Sequence, residues 1–438
     1  MSPDFSANRA GRAGNPLHLR VLIAIENTSY TYDTRVRNIA RTLTRAGCRV
    51  WVLCPRYPGD AFRSVEEGVT VYHYPLPSFP GGVIGHALED LYSFFSIGIG
   101  VLTGLARARF DVLHACNPPD IFFPLGGVCR LFGRRFVFDL HDLCPELCEV
   151  RYGSSRAIRS VLLALERCTA HTANHVFTTS ETAMRRVQAR TGISSERITL
   201  VRNGPDMTAF PAPAVESAPA TAAPAPASLQ SQLPTPAGER PVEVGYIGDM
   251  NPQDGIDNLL SAAHHIRHVL DRGGIRFVLI GSGSAHADLV GMSQALHIED
   301  IVEFTGRLSP RDAMARLANC SFCVQPDLKN AFTDACVMVK SLEYMALGKA
   351  MVAFDLGETR RMCGDAALYA GGNDYRQLAL EILRLADDAG LRARLGALGR
   401  RRVEQELAWT FSEERLLEVY RQFQRPENGA LPTPAAHE

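Results

Sequence analysis

The chain has 438 residues, with 46 Lys and Arg against 47 Asp and Glu and a formal net charge of -1. That length exceeds one ordinary core and points to two large domains, while the near-neutral balance offers no basic field for a nucleic-acid backbone and argues against nucleic acid as a partner. Eleven cysteines, an odd number scattered along apolar runs, read as reduced core thiols of a cytosolic protein rather than as a disulfide framework.

In chain order, residues 1–18 hold Arg9 and Arg12 but no apolar core, the composition of a disordered tail rather than of a secretory signal or membrane anchor. Short apolar runs at 20–26, 50–54, 111–115, 135–139, 175–179 and 198–201 then alternate with helical patterns. Strands interleaved with helices long enough for crossovers predict parallel pairing in a doubly wound sheet, here a domain over 19–207. Within it the uncharged run 92–106 holds three glycines and reads as too short to span a bilayer, which leaves a core helix or a surface that touches lipid. Residues 208–240 follow as an interdomain linker, since positions 211–240 contain seven prolines, nine alanines and almost nothing bulky to bury. Apolar runs at 242–247, 276–281, 301–305, 321–325, 350–354 and 367–370 repeat the scheme and predict a second domain over 241–407. An amphipathic pattern at 408–425, with Ser412 as N-cap and Trp409 and Phe411 ahead of it, predicts a helix that packs back across the domain junction. Residues 426–438 read as a second disordered tail.

The densest chemistry lies between Lys340 and Gly348. Lys340 and Glu343, three residues apart, share a helical face opposite Leu342, Met345 and Ala346, and Gly348 ends the helix before a buried strand. Such a terminus offers a cation for phosphate and a carboxylate for ribose hydroxyls, the alternative being a solvated salt bridge. Three glycine turns, at Gly248, at Gly281 and Gly283, and at Gly306 before Arg307, leave the carboxyl ends of expected parallel strands, where open α/β sheets bind ligands. Taken singly they also read as plain strand-to-helix turns, the first capped by Asp254. The lone Gly-x-Gly lacks a third glycine and an acidic residue at the end of the next strand, which ranks a nicotinamide oxidoreductase last. In the first half His141 and Asp142 sit just past the 135–139 run with Asp139 and Glu146 close by, a polar cluster too dense for simple strand capping. His141 suits contact with substrate hydroxyls or proton movement. Asp120 follows the 111–115 run in a similar place and also fits a helix cap. Neither Cys320 with Cys323 nor His264 with His268 finds further ligands, and the histidines read as a solvated helix face, so no metal is expected.

With these motifs the chain resembles the retaining glycosyltransferases of family 4, over residues 20–425 apart from the linker. The pieces that carry the resemblance are Tyr-Ile-Gly-Asp-Met-Asn-Pro-Gln-Asp-Gly at 246–255, Val-Arg-Asn-Gly-Pro-Asp at 201–206, Phe-Thr-Gly-Arg at 304–307 and Lys-Ser-Leu-Glu-Tyr-Met-Ala-Leu-Gly-Lys at 340–349. Asp-Thr-Arg-Val at 33–36 looks like the start of the first helix in bacterial surface-polysaccharide members. The resemblance implies an α/β chain of GT-B fold, two Rossmann-like doubly wound parallel-sheet domains facing a central cleft. It implies a nucleotide sugar held by the second domain and a saccharide or lipid-linked saccharide acceptor entering from the first, in polysaccharide biosynthesis. The sugar passes with its anomeric configuration kept, in a cytoplasmic protein with peripheral contact at the inner membrane, and no cofactor is implied. By resemblance Gly248, Gly281, Gly283, Arg307, Arg202, Asn203, Val337 and Glu343 serve the donor, with Glu343 on the ribose hydroxyls. His141, Asp142, Lys340 and Asp334 are the catalytic candidates, and Asp33, Arg35, Asn117 and Asp120 the acceptor-side ones.

The chain departs from the family pattern twice. The second family carboxylate falls eight positions before Glu343, where this chain has Ala335, and Asp334 is the nearest substitute. The Arg and Lys that many members use to neutralise the departing diphosphate are replaced near those places by Asp249 and Gln253. A carboxylate about 4 Å from a phosphate costs about 4 kcal/mol at an effective dielectric of about 20, so Asp249 must point away. Lys340, Arg307 or Arg202, with backbone N–H groups, are left to stabilise the developing anion. These departures motivate two alternatives: a catalytically silent nucleotide-sugar-binding subunit of an assembly complex, and a GT-B sugar-nucleotide epimerase, whose usual acid-base carboxylates are not evident.

Overall fold

The computed structural model describes residues 16–57, 59–79, 81–210 and 241–424. The expected linker beyond residue 210 and the tails before residue 16 and after residue 424 lie outside the described residues.

The first sheet contains β1 (Arg20–Ala24), β2 (Arg49–Arg56), β3 (Arg63–Glu66), β4 (Val69–Pro75), β5 (Val112–Cys116), β6 (Arg135–Leu140), β7 (His175–Thr178) and β8 (Ile198–Leu200), in the order β3-β4-β2-β1-β5-β6-β7-β8. Its pairings are parallel except for the β3–β4 hairpin at one edge. That hairpin is absent from the sequence expectation because it has no continuous apolar run: Val69 and Val71 turn inward while Thr70 and Tyr72 do not, as an edge with one covered face requires. The second sheet contains β9 (Val242–Ile247), β10 (Ile275–Ile280), β11 (Val302–Gly306), β12 (Phe322–Gln325), β13 (Met351–Phe354) and β14 (Ala367–Ala370), all parallel, in the order β11-β10-β9-β12-β13-β14. In each sheet the strand order reverses beside the first strand, between β1 and β5 and between β9 and β12, and these crevices are where an open α/β sheet takes its ligand.

Helices α1 (Thr34–Arg45), α2 (Val83–Ala106), α3 (Phe123–Leu131), α4 (Cys144–Tyr152), α5 (Arg156–Thr172) and α6 (Glu181–Thr191) supply the crossovers of the first domain. Ile97 and Val101 of α2, Leu125 and Cys129 of α3, Ala170 of α5 and Val187 of α6 enter the core on one face of its sheet. In the second domain, α7 (Ile256–His264), α8 (His286–Ala295), α9 (Pro310–Asn319), α10 (Val339–Ala346), α11 (Gly357–Cys363), α12 (Tyr375–Asp387) and α13 (Ala389–Arg402) follow. Leu259, Leu289 and Ile382 fill one face of the sheet and Leu317, Leu342, Met345 and Met362 the other.

The last helix, α14 (Trp409–Phe423), returns to the first domain, where Trp409, Leu416, Val419 and Tyr420 join α1 in a buried cluster. Each such side chain contributes about 1.5–3 kcal/mol of burial. Trp409 Nε1 donates to Thr42 Oγ1 at 2.9 Å and Tyr420 Oη meets His114 Nδ1 at 2.8 Å. Two sequence expectations change here. Ser412 lies inside the helix, donating to the Arg202 carbonyl at 2.9 Å, and Ala408 is the N-cap; Phe411 stays 40% exposed, so Trp409 alone of the pair anchors the helix. His264, half-buried, and His268, exposed, keep the solvated face that was expected and also meet the carbonyls of Leu296 and His297 just past α8 at 3.0 and 2.9 Å. The helix around the 92–106 run is also longer than that run: α2 has 24 residues and is long and apolar enough to cross a membrane, yet it lays its inner face on the sheet.

Candidate functional site

The wall of the second domain is built by backbone approach. A Cβ at Gly281 would lie 1.9 Å from the Gly248 carbonyl oxygen, and one at Gly283 would lie 2.5 Å from that of Met250. The glycines are therefore required first by one another. They let the turns after β9 and β10 stack as one surface, and Gly281 N donates to the Gly306 carbonyl at 3.0 Å to bring in the turn after β11. Gly248 and Gly281 have φ of 154° and 140°, inside the region L side chains rarely adopt.

Helix α10 closes the crevice between β9 and β12. Leu342, Met345 and Ala346 are fully buried while Lys340 and Glu343 reach the opposite side, as their spacing requires. Lys340 Nζ lies 3.0 and 2.9 Å from the two oxygens of Asp327, directly beyond β12, and 5.0 Å from the centre of the Tyr246 ring. Burial depresses the Lys340 pKa, but Asp327, Tyr246 and Asp254 outweigh it and hold the ammonium above its ordinary value. Glu343 differs. Its carboxylate makes no side-chain hydrogen bond among the described residues, and burial, partly offset by Lys340, pushes its pKa up to about 7. It is an acceptor held in a crevice without a partner, the state suited to receiving ligand hydroxyls. Val337, two residues before α10, is buried core. Asp334 accepts from Gly357 N at the start of α11 at 2.7 Å and pairs with Lys329 at 3.3 Å, so it is anchored to the loop rather than free.

Each cation proposed to compensate a diphosphate has a carboxylate partner. Lys340 has Asp327, Arg202 has Glu181 at 2.9 Å, and Arg307 has Asp249 at 3.2 Å. The pairs differ in cost. Arg307 and Asp249 are 53% and 68% exposed, a pair worth about 0–1 kcal/mol, whereas separating the buried Lys340–Asp327 pair costs several times that. Arg307 is thus the cation most readily transferred to a ligand. Its guanidinium also lies 5.2 Å from the ring of Tyr32, in the loop between β1 and α1, and so bridges the two domains.

In the first domain Asp139, at the end of β6, is a fully buried hub. It accepts from Arg35 Nε at 2.9 Å and Nη2 at 2.6 Å, and meets His114 Nε2 at 3.2 Å and His141 Nε2 at 3.0 Å. Burial raises the Asp139 pKa, but Arg35 and the histidines outweigh it and hold the carboxyl well below its usual range. His114, fully enclosed, is depressed by burial more than Asp139 raises it. For His141 burial also lowers the value, yet attraction and hydrogen bonding to Asp139 prevail and leave it raised. With Nε2 held, Nδ1 makes no hydrogen bond among the described residues, and the side chain keeps 13% exposure. His114, Cys116 and Asp139 cluster as a metal set would, but both Asp139 oxygens are occupied by Arg35, whose guanidinium already supplies the cation.

Several residues expected to face an acceptor lie behind this wall. Arg35 is 4% exposed and, besides Asp139, donates to the Val201 carbonyl at 2.5 Å and to Asn203 Oδ1 at 2.7 Å, so Arg35 and Asn203 tie α1 to the segment after β8. Asn117 is fully buried: its Nδ2 donates to Asp120 Oδ1 and to the Asp142 carbonyl, both at 2.7 Å, while its Oδ1 accepts from His141 N and Asp142 N. It clamps the loops after β5 and β6. Asp120 is 2% exposed and burial, with Glu166 nearby, pushes its pKa up to about 7. Glu146 is buried in ion pairs with Arg190 and Arg186. Asp33 caps α1 by accepting from Val36 N at 2.9 Å and is only half-buried, and Asp142, its pKa raised by burial, sits beside His141. Sequence reasoning missed Asp327 and Tyr32; an aspartate directly beyond a buried strand was the available signal for the first, and Tyr32 had none.

Beyond the Tyr32 contact, the domains meet along α6. Ser180 Oγ donates to the Ala335 carbonyl at 2.7 Å, Arg186 to the Ala331 carbonyl at 2.7 Å, and Thr182 bonds Glu358.

Two family models match: a glycosyl transferase 4-like domain over residues 31–204 and glycosyl transferases group 1 over 241–388. A similar curated protein is the GDP-mannose-dependent monoacylated alpha-(1-6)-phosphatidylinositol monomannoside mannosyltransferase of Corynebacterium glutamicum, 28% identical over 171 residues. That match spans 38% of this chain and 44% of the relative. Sucrose-phosphate synthase from Thermosynechococcus elongatus superposes with a TM-score of 0.71 at 18% identity, covering 92% of this chain and 99% of its own. HepE of Anabaena, in complex with UDP and glucose, gives 0.67 at 16% identity over 92% and 100%. WaaG, a glycosyltransferase involved in lipopolysaccharide biosynthesis, gives 0.65 at 14% over 91% and 99%. Each model falls on one of the two sheets, and the chain belongs to the GT-B glycosyltransferases that join a glycosyl transferase 4-like domain to a group 1 domain.

Proposed function

We propose that the protein is a retaining glycosyltransferase that moves a sugar from a nucleotide-sugar donor, held by the second domain, to a saccharide or lipid-linked saccharide acceptor entering from the first. The observation that carries this reading is Glu343, a carboxylate without a hydrogen bond among the described residues, on the helix whose Lys340 approaches the Gly248 turn. It accepts the ribose hydroxyls. Arg307 leaves Asp249 for the diphosphate, helped by backbone N–H groups, because that exchange is the cheapest at the cleft. The bond between the anomeric carbon and the phosphate oxygen breaks while the acceptor oxygen attacks from the same face, and the acceptor proton passes to the departing phosphate oxygen. No enzyme nucleophile, metal or cofactor takes part. His141, oriented by Asp139, holds a hydroxyl of the transferred sugar or of the acceptor.

The lipid-linked acceptor is supported by the corynebacterial relative, named for a phosphatidylinositol mannoside, and the nucleotide sugar by HepE, solved with UDP and glucose. A cytoplasmic protein working at the inner face of the membrane fits such an acceptor. A thermal-shift screen over nucleotide sugars tests the reading, since a donor at about 100 times its Kd adds about 2.7 kcal/mol. The shift is expected to shrink in Glu343→Ala; an unchanged shift removes the ribose assignment. Slow release of free sugar from the bound donor, with retained configuration, counts against a silent subunit, and interconversion of free nucleotide sugars without acceptor would establish an epimerase instead.

A further inference from the structure

Among the described residues, eleven of the eighteen large apolar side chains that are exposed belong to α2, to the end of α3 and to the start of α5. On α2 they form a stripe: Ile84, Leu88, Leu91, Phe95, Ile99 and Leu102 recur every three or four residues, with Ile84 77% and Ile99 69% exposed. That spacing keeps one face of the helix apolar along about 27 Å, the rise from Ile84 to Leu102. The opposite face, with Ile97 and Val101, is already buried on the sheet, so the stripe is surplus to the fold. Monomeric soluble proteins seldom show a continuous apolar strip of this length without a partner for it.

The surroundings say which partner. From Leu91 to Ala106 the helix carries no charged residue, and exposed arginines stand at both ends: Arg107, Arg109 and Arg130 beside Leu131 and Phe132, Arg151 and Arg156 at the α4–α5 turn. His86 near the start of α2 packs on Tyr152 at 5.8 Å, which places that turn at the first end. Of the carboxylates on these helices, Glu146 and Glu166 are buried against Arg190, Glu149 pairs with Arg159, and Glu89 and Asp90 in the first turns of α2 are half-buried, Glu89 beside His86 at 3.8 Å. A strip uncharged from Leu91 onward, with exposed arginines at both ends and acids that are buried, paired or half-buried, matches a bilayer of anionic lipid, which takes apolar side chains at the acyl boundary and cations at the headgroups.

We propose that the α2–α3–α5 face lies on an anionic membrane surface, with α2 parallel to it and its stripe inserted. This deepens the acceptor half of the glycosyltransferase reading and rests on it. Because α2 leads from the end of β4 to the start of β5, its first turns lie at the carboxyl edge of the sheet, where the cleft opens. A lipid-anchored saccharide then reaches the cleft without its chain leaving the bilayer.

Co-sedimentation of the full chain with phosphatidylcholine vesicles, with and without phosphatidylglycerol, tests this. Binding is expected to the anionic vesicles, to weaken with salt, and to fall about tenfold or more in F95S/I99S, which removes two inserted side chains. R107Q/R109Q is expected to lower binding to anionic vesicles and flatten its salt dependence. Both variants are expected to keep the wild-type melting temperature and the nucleotide-sugar thermal shift. Absence of vesicle binding, binding unchanged in F95S/I99S, or a dimer in sedimentation velocity that F95S/I99S splits would each overturn the proposal. The nucleotide-sugar shift, read in the same samples, reports separately on the glycosyltransferase reading.

Discussion

Replacing Lys340 by Met asks whether its charge belongs to the fold or to the ligand. In the structure Nζ sits 2.9 and 3.0 Å from Asp327, with side chains only 13% and 4% exposed. At that separation the pair is worth about 5–6 kcal/mol at an effective dielectric of about 20. The desolvation cost of the ammonium offsets part of this, but the variant leaves the Asp327 carboxylate buried without a cation, and orphaning one partner of a buried pair costs about 3–5 kcal/mol. For a domain of this size about 2–4 °C follows from each kcal/mol, so the second domain is expected to melt roughly 10 °C lower by calorimetry. The loss should be present throughout the neutral range: a lysine whose folded pKa is raised stabilises fully below its unfolded pKa, and the contribution fades only as the pH climbs through the raised value. Lys340→Met combined with Asp327→Asn, which removes both charges, is expected to recover most of the loss. If Lys340→Met melts like the wild type while turnover collapses, the pair is not structural and the reasoning fails.

Glu343 gives a prediction of opposite sign. Its folded pKa of about 7 lies above the unfolded value, so its ionisation opposes folding progressively as pH rises from about 4.5 to 7. Glu343→Gln should therefore stabilise at pH 8 but not at pH 4.5, while weakening donor affinity about tenfold by calorimetry, the value of one hydrogen bond to a charged group. Arg307→Met should change stability by less than about 1 kcal/mol yet lower kcat markedly, and Asp249→Asn should tighten donor binding about fivefold by removing a competitor and a repulsive charge. Asp139→Asn removes the carboxylate that raises His141, so the His141 titration, followed by NMR, should move to lower pH.

Much of the site was legible because the chemistry sits where periodicity changes. The Lys340–Glu343 face, the three glycine turns and the strands feeding them all follow from local spacing, and the structure assembles them at one sheet edge. What spacing does not carry is who pairs with whom. Lys340 reads as a free cation until Asp327, 13 positions away, is seen against it. Arg35 sits in a family-like motif, yet its partners Asp139 and Asn203 lie more than a hundred residues on, so only the fold reveals that it is buried behind the wall. The β3–β4 hairpin escaped for another reason: an edge needs one apolar face only, and alternation over four residues is a weak signal.

On the proposed function, the pairing of Arg307 with Asp249 couples donor arrival to the domain junction. A diphosphate entering beside the turns after β9 and β11 must replace a carboxylate, and the exposed Arg307–Asp249 pair yields at about 1 kcal/mol where the buried Lys340–Asp327 pair does not. Moving the Arg307 guanidinium draws it off the Tyr32 ring and so releases the contact between the domains on the β1 side. The contacts of Ser180, Thr182 and Arg186 follow β7, three strands away and about 14 Å along the sheet, and none involves a group the donor would claim. With α14 also fixed on the first domain, one side of the junction is held and the other is freed by the donor itself, which is the asymmetry a hinge needs. On the proposed function, a cation already bound to a carboxylate serves better than a free one, because its exchange would report to the first domain that the second is filled.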